Sequence, residues 1–277
     1  MRIGGPIYQK YSNPTEWVAA VHDKNYRAAF CPVGLDAEAS EIAAYAQAAL
    51  DADILIAEVG AWSNPLSPDP EVREAALEKC RKSLALAEAI GARCCVNISG
   101  SRGAKWDGPH AEDISEETFA LIVETIQNII DAVEPKKTHY TLEAMPWMYP
   151  DSPQSYLRLF QEINREANAV HLDPVNLINS PRRYFNNADL IRDCFAQLGP
   201  HIRSCHAKDI LLQGQLTVHL DEVRPGLGAL DYRTFLRELD QLDVDTPLML
   251  EHLPNEGEYD AAAAYIRAIA DELGCSL

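Results

Sequence analysis

The sequence predicts an α/β chain folded as a (β/α)8 TIM barrel, with residues 1–277 as a single domain. Three observations predict it. Short β-rich runs alternate strictly with helical patterns, eight of each. Eight β/α units in about 250 residues is the arithmetic of a closed barrel. The glycine-rich phosphate loop G-x-G-x-x-G, which an open doubly wound sheet usually carries after its first strand, is absent.

The strands are expected at 1–4, 26–31, 53–59, 93–98, 138–144, 169–173, 202–207 and 247–252, where apolar or β-branched residues cluster. The first helix, 14–23, opens at Asn13-Pro14, and a second runs over 37–50. The third, 69–90, follows Asp69-Pro70, with proline at the favoured first position. Ser115 caps the fourth and is followed by Glu116 and Glu117, acidic residues that suit the positive end of a helix dipole. The remaining helices fit 153–165, 186–198, 231–241 and 258–273. The longest irregular stretch, 99–113, follows the fourth strand, which places it on the catalytic face as a lid or substrate loop.

Composition narrows the function. Lys and Arg total 24 against 42 Asp and Glu, a formal net charge of −18. Such a surface repels nucleic acid and anionic membranes, although a local arginine could still hold a small phosphorylated substrate. Seven cysteines, an odd number with no C-x-x-C pair, read as reduced thiols of a cytoplasmic protein. The amino-terminal MRIGGPIYQK lacks the apolar stretch of a secretory signal. No apolar run reaches the roughly 18 to 20 residues that a membrane helix needs.

Chemistry in a barrel gathers at the C-terminal ends of its strands. The last four strands end in Leu142-Glu143, Leu172-Asp173, Cys205-His206 and Leu250-Glu251. A buried carboxylate or imidazole is costly unless it is paired or bound to metal. Glu143, Asp173, His206 and Glu251 are therefore the expected ligands of one divalent ion. Three carboxylates and one imidazole favour Mn2+, with Mg2+ or Co2+ next. Lys208 lies two residues beyond His206 and shares its face of the strand, where it could hold a substrate oxygen, move a proton or pair with a carboxylate. His171 shares a face with Asp173 and reads as a core histidine or a partner of the ligands. Glu58, at the end of the third strand, is a candidate for substrate contact or rim structure, and His252 is expected to point away from the site. All four tryptophans are expected in or near loops after strands, and Trp106 and Trp147 are the preferred wall for a sugar ring.

The segments LEAMPW (142–147), HLDPVN (171–176), HAKD (206–209), PGLGALDY (225–232) and MLEH (249–252) resemble the sugar phosphate isomerase/epimerase superfamily, the xylose isomerase-like barrels. Among these, the ketose 3-epimerases, which act on D-tagatose or D-psicose, are the best-understood relatives. The resemblance runs through the whole chain and is strongest from residue 140 onward. It implies that Glu143 and Glu251 exchange protons with a small carbohydrate as well as binding metal, through an enediolate. It also implies that Arg224 contacts substrate; no dedicated phosphate cradle is evident, although the backbone of 225–228 (PGLG) could serve as one. Asn176 stands where the ketose epimerases carry a substrate-binding histidine, Tyr149 stands where they carry a glutamate, and the segment between His206 and Arg224 is longer than theirs. The implied activity is isomerisation or epimerisation of a sugar or sugar phosphate, with a homo-oligomer a possible assembly. A lyase or dehydratase acting on a keto-sugar or cyclitol would use the same metal and base. A non-catalytic binding protein is a third class. The apurinic endonucleases share the barrel but need histidines on earlier strands, where this chain has CPVG and EVGAW.

Overall fold

The computed structural model describes residues 1–277. In chain order the strands are β1 (Arg2–Gly4), β2 (Ala28–Phe30), β3 (Leu55–Gly60), β4 (Cys94–Asn97), β5 (Tyr140–Glu143), β6 (Asn168–Leu172), β7 (Ile202–Ala207), β8 (Asp209–Leu212), β9 (Leu220–Val223) and β10 (Pro247–Leu250). Eight of them close a parallel barrel in the order β1-β10-β7-β6-β5-β4-β3-β2. The helices are α1 (Pro14–Asp23), α2 (Ala39–Asp51), α3 (Pro70–Ile90), α4 (Glu116–Val133), α5 (Pro153–Ile163), α6 (Pro181–Phe185), α7 (Asn187–Leu198), α8 (Tyr232–Leu239) and α9 (Glu256–Leu273). The barrel strands read as apolar runs because the helices cover their outer faces and side chains fill the inside. Helix α4 shows the outer packing, burying Phe119, Ile122, Ile126, Ile129 and Ile130 on one stripe.

The helix starts form as their sequences indicate. Asn13 accepts from the Glu16 amide at 3.0 Å, Asp69 from Glu71 and Val72 at 2.9 and 3.3 Å, and Ser115 from Thr118 at 3.1 Å. Each such cap contributes about 1 kcal/mol.

Two elements depart from the simple eight-plus-eight alternation. Helix α6 is an extra single turn capped by Ser180. Strands β8 and β9 form an antiparallel hairpin outside the barrel, between β7 and α8. The hairpin buries only Asp209 and Ile210, and its apolar run Ile210-Leu211-Leu212 is three residues long and follows β7 almost directly, so it does not stand out as a separate strand. Trp17 is also a correction: it is buried within α1, with its ring edge-on to Tyr45.

Two loops at the C-terminal mouth are tied down by buried side chains. The Asp113 carboxylate accepts from Ser101 Oγ at 2.8 Å and the Arg102 amide at 2.7 Å, while Asn64 exchanges hydrogen bonds with the Ser101 backbone at 2.8 and 3.0 Å. These contacts anchor both ends of the 101–113 stretch. Gly100 has φ +96°, and a Cβ there would run into the Asn64 side chain. Asp209 does the same for the segment 225–230. Its carboxylate accepts from the amides of Ile210, Gly226, Gly228 and Leu230 at 2.8 to 3.1 Å. Asp209→Asn turns an amide NH2 toward two of those donors and is expected to cost about 2 kcal/mol, measurable by urea denaturation. No helix is long and apolar enough to cross a membrane.

Candidate metal centre

Parallel strands deliver their C-terminal ends to one mouth. Glu143 ends β5, Asp173 follows β6, His206 lies near the end of β7 and Glu251 follows β10. These four strands are consecutive neighbours around the barrel. One donor atom from each residue lies within 4.8 Å of all the others. His206 Nδ1 is 3.2 Å from Glu143 Oε1 and 3.0 Å from Glu251 Oε2. Asp173 and His206 are fully buried and Glu143 nearly so, whereas the Glu251 side chain keeps 16% exposure and forms the open side. Asn176 Nδ2 donates to Glu143 Oε1 at 3.0 Å and fixes that carboxylate.

Lys208 reaches the same point. Its ammonium is 2.8 Å from Glu251 Oε2, 2.9 Å from Asp173 Oδ2 and 3.4 Å from Glu143 Oε1. Burial alone would drive the Lys208 pKa down, but these carboxylates outweigh it and hold it well above its ordinary value. Glu251 is the counterpart: burial would raise its pKa, yet His206 and Lys208 hold it well below the usual carboxylate range.

Below the ligands lies a dry polar layer. Glu58 Oε1 is 3.3 Å from His206 Nε2, and Glu58 Oε2 accepts from Ser204 Oγ at 3.1 Å. His171 is fully buried, with its ring edge-on to His206 at 4.0 Å and its Nδ1 3.5 Å from Glu58 Oε2. Burial, reinforced by His206, pushes the His171 pKa down to about 3, so its ring is neutral. Nδ1 of His206 thus faces the carboxylates while Nε2 faces Glu58. A carboxylate behind a ligating imidazole orients the ring and raises its basicity.

The donor set fits a divalent cation. Four carboxylates, counting Glu58, are met by one ammonium. Asp173 Oδ2 and Glu251 Oε2 lie at ion-pair distance from Lys208, yet neither receives a well-directed hydrogen bond. Buried lone pairs without such a donor are costly, and a hard cation satisfies them.

The centre opens into a cavity of about 320 Å3 walled by Trp62, Trp106 and Trp147. Trp106 and Trp147 are each 38% exposed, and Trp147 Nε1 donates to the Asp107 carbonyl at 3.1 Å. The aromatic faces, Glu143, Glu251, Lys208 and Asn176 therefore share one chamber, while Asp173 and His206 do not line it.

Some expected positions fall elsewhere. Glu58 is buried under His206 and does not line the chamber. Arg224 is turned outward by a 2.8 Å ion pair with Glu258 of α9 and stays out of the chamber. The amides of Gly226, Gly228 and Leu230 are occupied by Asp209 and those of Leu227 and Ala229 by the Arg224 and Ile210 carbonyls, so 226–230 offers no free cradle for phosphate. Tyr149 packs against Phe119 at 5.2 Å. His252 does not point away as expected: its left-handed backbone (φ +58°) turns the ring back over the mouth, 3.5 Å from Glu251 and 3.2 Å from Glu222. Lys105 and Asp107 of the 99–113 loop also line the chamber, and Glu222, on β9, is a charged chamber residue that sequence reasoning missed. Its only signal was the extra length between His206 and Arg224.

Residues 16–269 match the model of the xylose isomerase-like TIM barrel family. No curated protein matches the chain. Among solved structures, endonuclease IV from Thermus thermophilus superposes with a TM-score of 0.73 at 13% identity, covering 98% of this chain and 100% of that one. A probable 3-DHS dehydratase from Bacillus anthracis gives 0.69 at 18% identity, covering 97% and 98%. D-psicose 3-epimerase from Clostridium cellulolyticum, solved with D-tagatose, gives 0.67 at 13% identity, covering 97% and 99%. At these identities the likeness establishes the fold.

Proposed function

The chain belongs to the xylose isomerase-like TIM barrel family, and from that premise we propose that it is a metal-dependent isomerase or epimerase of a small sugar. The observation that carries the reading is the convergence of Glu143, Asp173, His206 and Glu251 beneath an aromatic-walled chamber. These four residues would hold one divalent ion, Mn2+ by preference. When bound, the ion polarises a carbonyl and acidifies the neighbouring C–H.

The protein's own groups supply the rest. Glu251, on the open side, takes the proton from carbon, and Glu143, held by Asn176, returns one from the other side of the chamber. Return to the opposite face of the same carbon epimerises the sugar; return to the adjacent carbon isomerises it. Lys208 donates to a substrate oxygen, and the tryptophans cover the apolar face of the ring and limit water. The chamber favours an unphosphorylated sugar, because Arg224 is paired outside it and the amides of 226–230 are occupied.

One observation supports a second reading. The Lys208 ammonium stands beside Glu251, where it could protonate a departing hydroxyl. Elimination of water from a keto-sugar would then follow the same proton abstraction, the class of reaction that the probable 3-DHS dehydratase among the structural neighbours is named for.

Both readings are tested by incubating the Mn2+-loaded protein in D2O with ketoses, aldoses, sugar phosphates and inososes. Deuterium is expected at the carbon next to a carbonyl in at least one unphosphorylated compound, and EDTA is expected to abolish it. Retention of the molecular formula, apart from the deuterium gained, marks isomerisation or epimerisation, and loss of water marks a dehydratase. Tight sugar binding without exchange would overturn both readings and leave a binding protein.

A further inference from the structure

The end of the barrel opposite the metal centre holds a second concave site. A cavity of about 650 Å3 lies there, lined by Arg93, Lys137, His139, Arg203, Asp243 and Thr246 among others. Arg93 precedes β4, His139 precedes β5, Arg203 is the second residue of β7 and Thr246 precedes β10, so the cavity is at the N-terminal mouth. We propose that it binds a small oxyanion of the phosphate class.

The first argument is charge. In a chain with a net charge of −18, three permanent cations gather here. Arg93 pairs with Asp243 at 2.8 Å. Arg203 pairs with no carboxylate: it donates to the carbonyls of Pro200 and Ile202 at 2.9 and 3.3 Å, and through Nε to His139 Nε2 at 3.3 Å. The nearby Glu88 carboxylate is engaged by the amides of Lys136, Lys137 and Thr138, at 2.9 to 3.1 Å, leaving the Lys137 ammonium without an ion pair. Burial and the neighbouring Arg93 press the Arg203 pKa down by more than Cys94 and Asp243 raise it. An oxyanion between the two arginines removes that repulsion and matches the planar fork of each.

The second argument is unmet hydrogen bonding, and it favours an acceptor. Arg93 Nε and the hydroxyl of Thr246, which is 1% exposed, have no partner. His139 is held neutral because burial and the two arginines push its pKa down to about 4. Its Nε2 accepts from Arg203, so its proton is on Nδ1, which has no well-formed hydrogen bond although the Arg93 carbonyl is close. The walls therefore offer donors and cations with one paired carboxylate among them. The volume is within the ordinary range of ligand sites, about 300 to 1,000 Å3.

The experiment uses inorganic phosphate as probe on the full chain, against sodium chloride at equal ionic strength. Phosphate at a tenfold excess over its dissociation constant is expected to raise the melting temperature by about 2–4 °C. Arg203→Met and, independently, the exposed Lys137→Ala are each expected to remove at least half of that shift. Asp243→Asn, which deletes the one paired carboxylate, is expected to enlarge it. No shift beyond the chloride control overturns the proposal. A full shift in both Arg203→Met and Lys137→Ala also overturns it, because phosphate would then bind elsewhere. Lys137→Ala keeps the test decisive if Arg203→Met fails to fold.

Discussion

Glu251→Gln is expected to lower proton exchange at carbon by about 10^2- to 10^4-fold, the contribution of a positioned general base. The substitution keeps the side chain's volume at the end of β10, so the barrel is expected to stay folded. It removes the group's basicity and half of its capacity to accept. Glu251 Oε2 lies 3.0 Å from His206 Nδ1 and 2.8 Å from the Lys208 ammonium. An amide nitrogen in that place sets donor against donor; an amide oxygen there carries no charge to balance the ammonium. Metal affinity is therefore expected to fall together with exchange. The measurement is deuterium incorporation by NMR at saturating Mn2+, with bound metal determined on the same sample. A Glu251→Gln protein that keeps its metal and full turnover would remove Glu251 from the proposed role.

The second large effect belongs to Lys208. Its side chain is 2% exposed, and its ammonium contacts Asp173, Glu143 and Glu251, with Glu222 at 3.9 Å. In metal-free protein, Lys208→Met leaves those carboxylates without their nearest fixed cation. Breaking a buried ion cluster by deleting one partner costs about 3–5 kcal/mol. A divalent ion supplies the missing positive charge, so Mn2+ is expected to stabilise the variant by more than it stabilises the parent. Urea denaturation of both proteins, in EDTA and in Mn2+, reads this directly. A loss in EDTA below about 1 kcal/mol, the scale of an exposed pair, would mean that the ammonium does not balance the site. Deuterium exchange by the same variant separates this balancing role from a role on substrate oxygen.

The split between what was readable in one dimension and what was not follows from the range of the interactions. Strand and helix positions depend on side-chain periodicity and on caps such as Asp69-Pro70 and Ser115, which act within a few residues. The clustering of the four candidate ligands was readable for a related reason. In a parallel barrel each strand's last polar residue goes to the same mouth, so knowing that Glu143, Asp173, His206 and Glu251 end consecutive strands already places them together. The xylose isomerase-like family was legible from the same strand ends.

Long-range contacts decided the remainder, and no local pattern encodes them. Arg224 was expected at substrate; a single carboxylate 34 residues away, Glu258, takes its guanidinium outward. The glycines of 225–228 could have cradled a phosphate, but Asp209 reaches back across 17 to 21 residues to occupy the amides of Gly226, Gly228 and Leu230. Glu58 ends up behind His206, 148 residues on, because its side chain points into the barrel below the ligands. His252 enters the mouth through one left-handed backbone angle, and Glu222 through a two-stranded hairpin that is not paired with the barrel sheet. The cationic cavity at the opposite mouth brings together Arg93, His139, Arg203 and Thr246 from the starts of four strands. The sequence by itself determined the barrel and the residues able to bind metal, because secondary structure and strand order are enough to place them. Only the tertiary structure decided which neighbouring polar groups face substrate and which are spent on one another, because each such pairing depends on a partner distant in the chain.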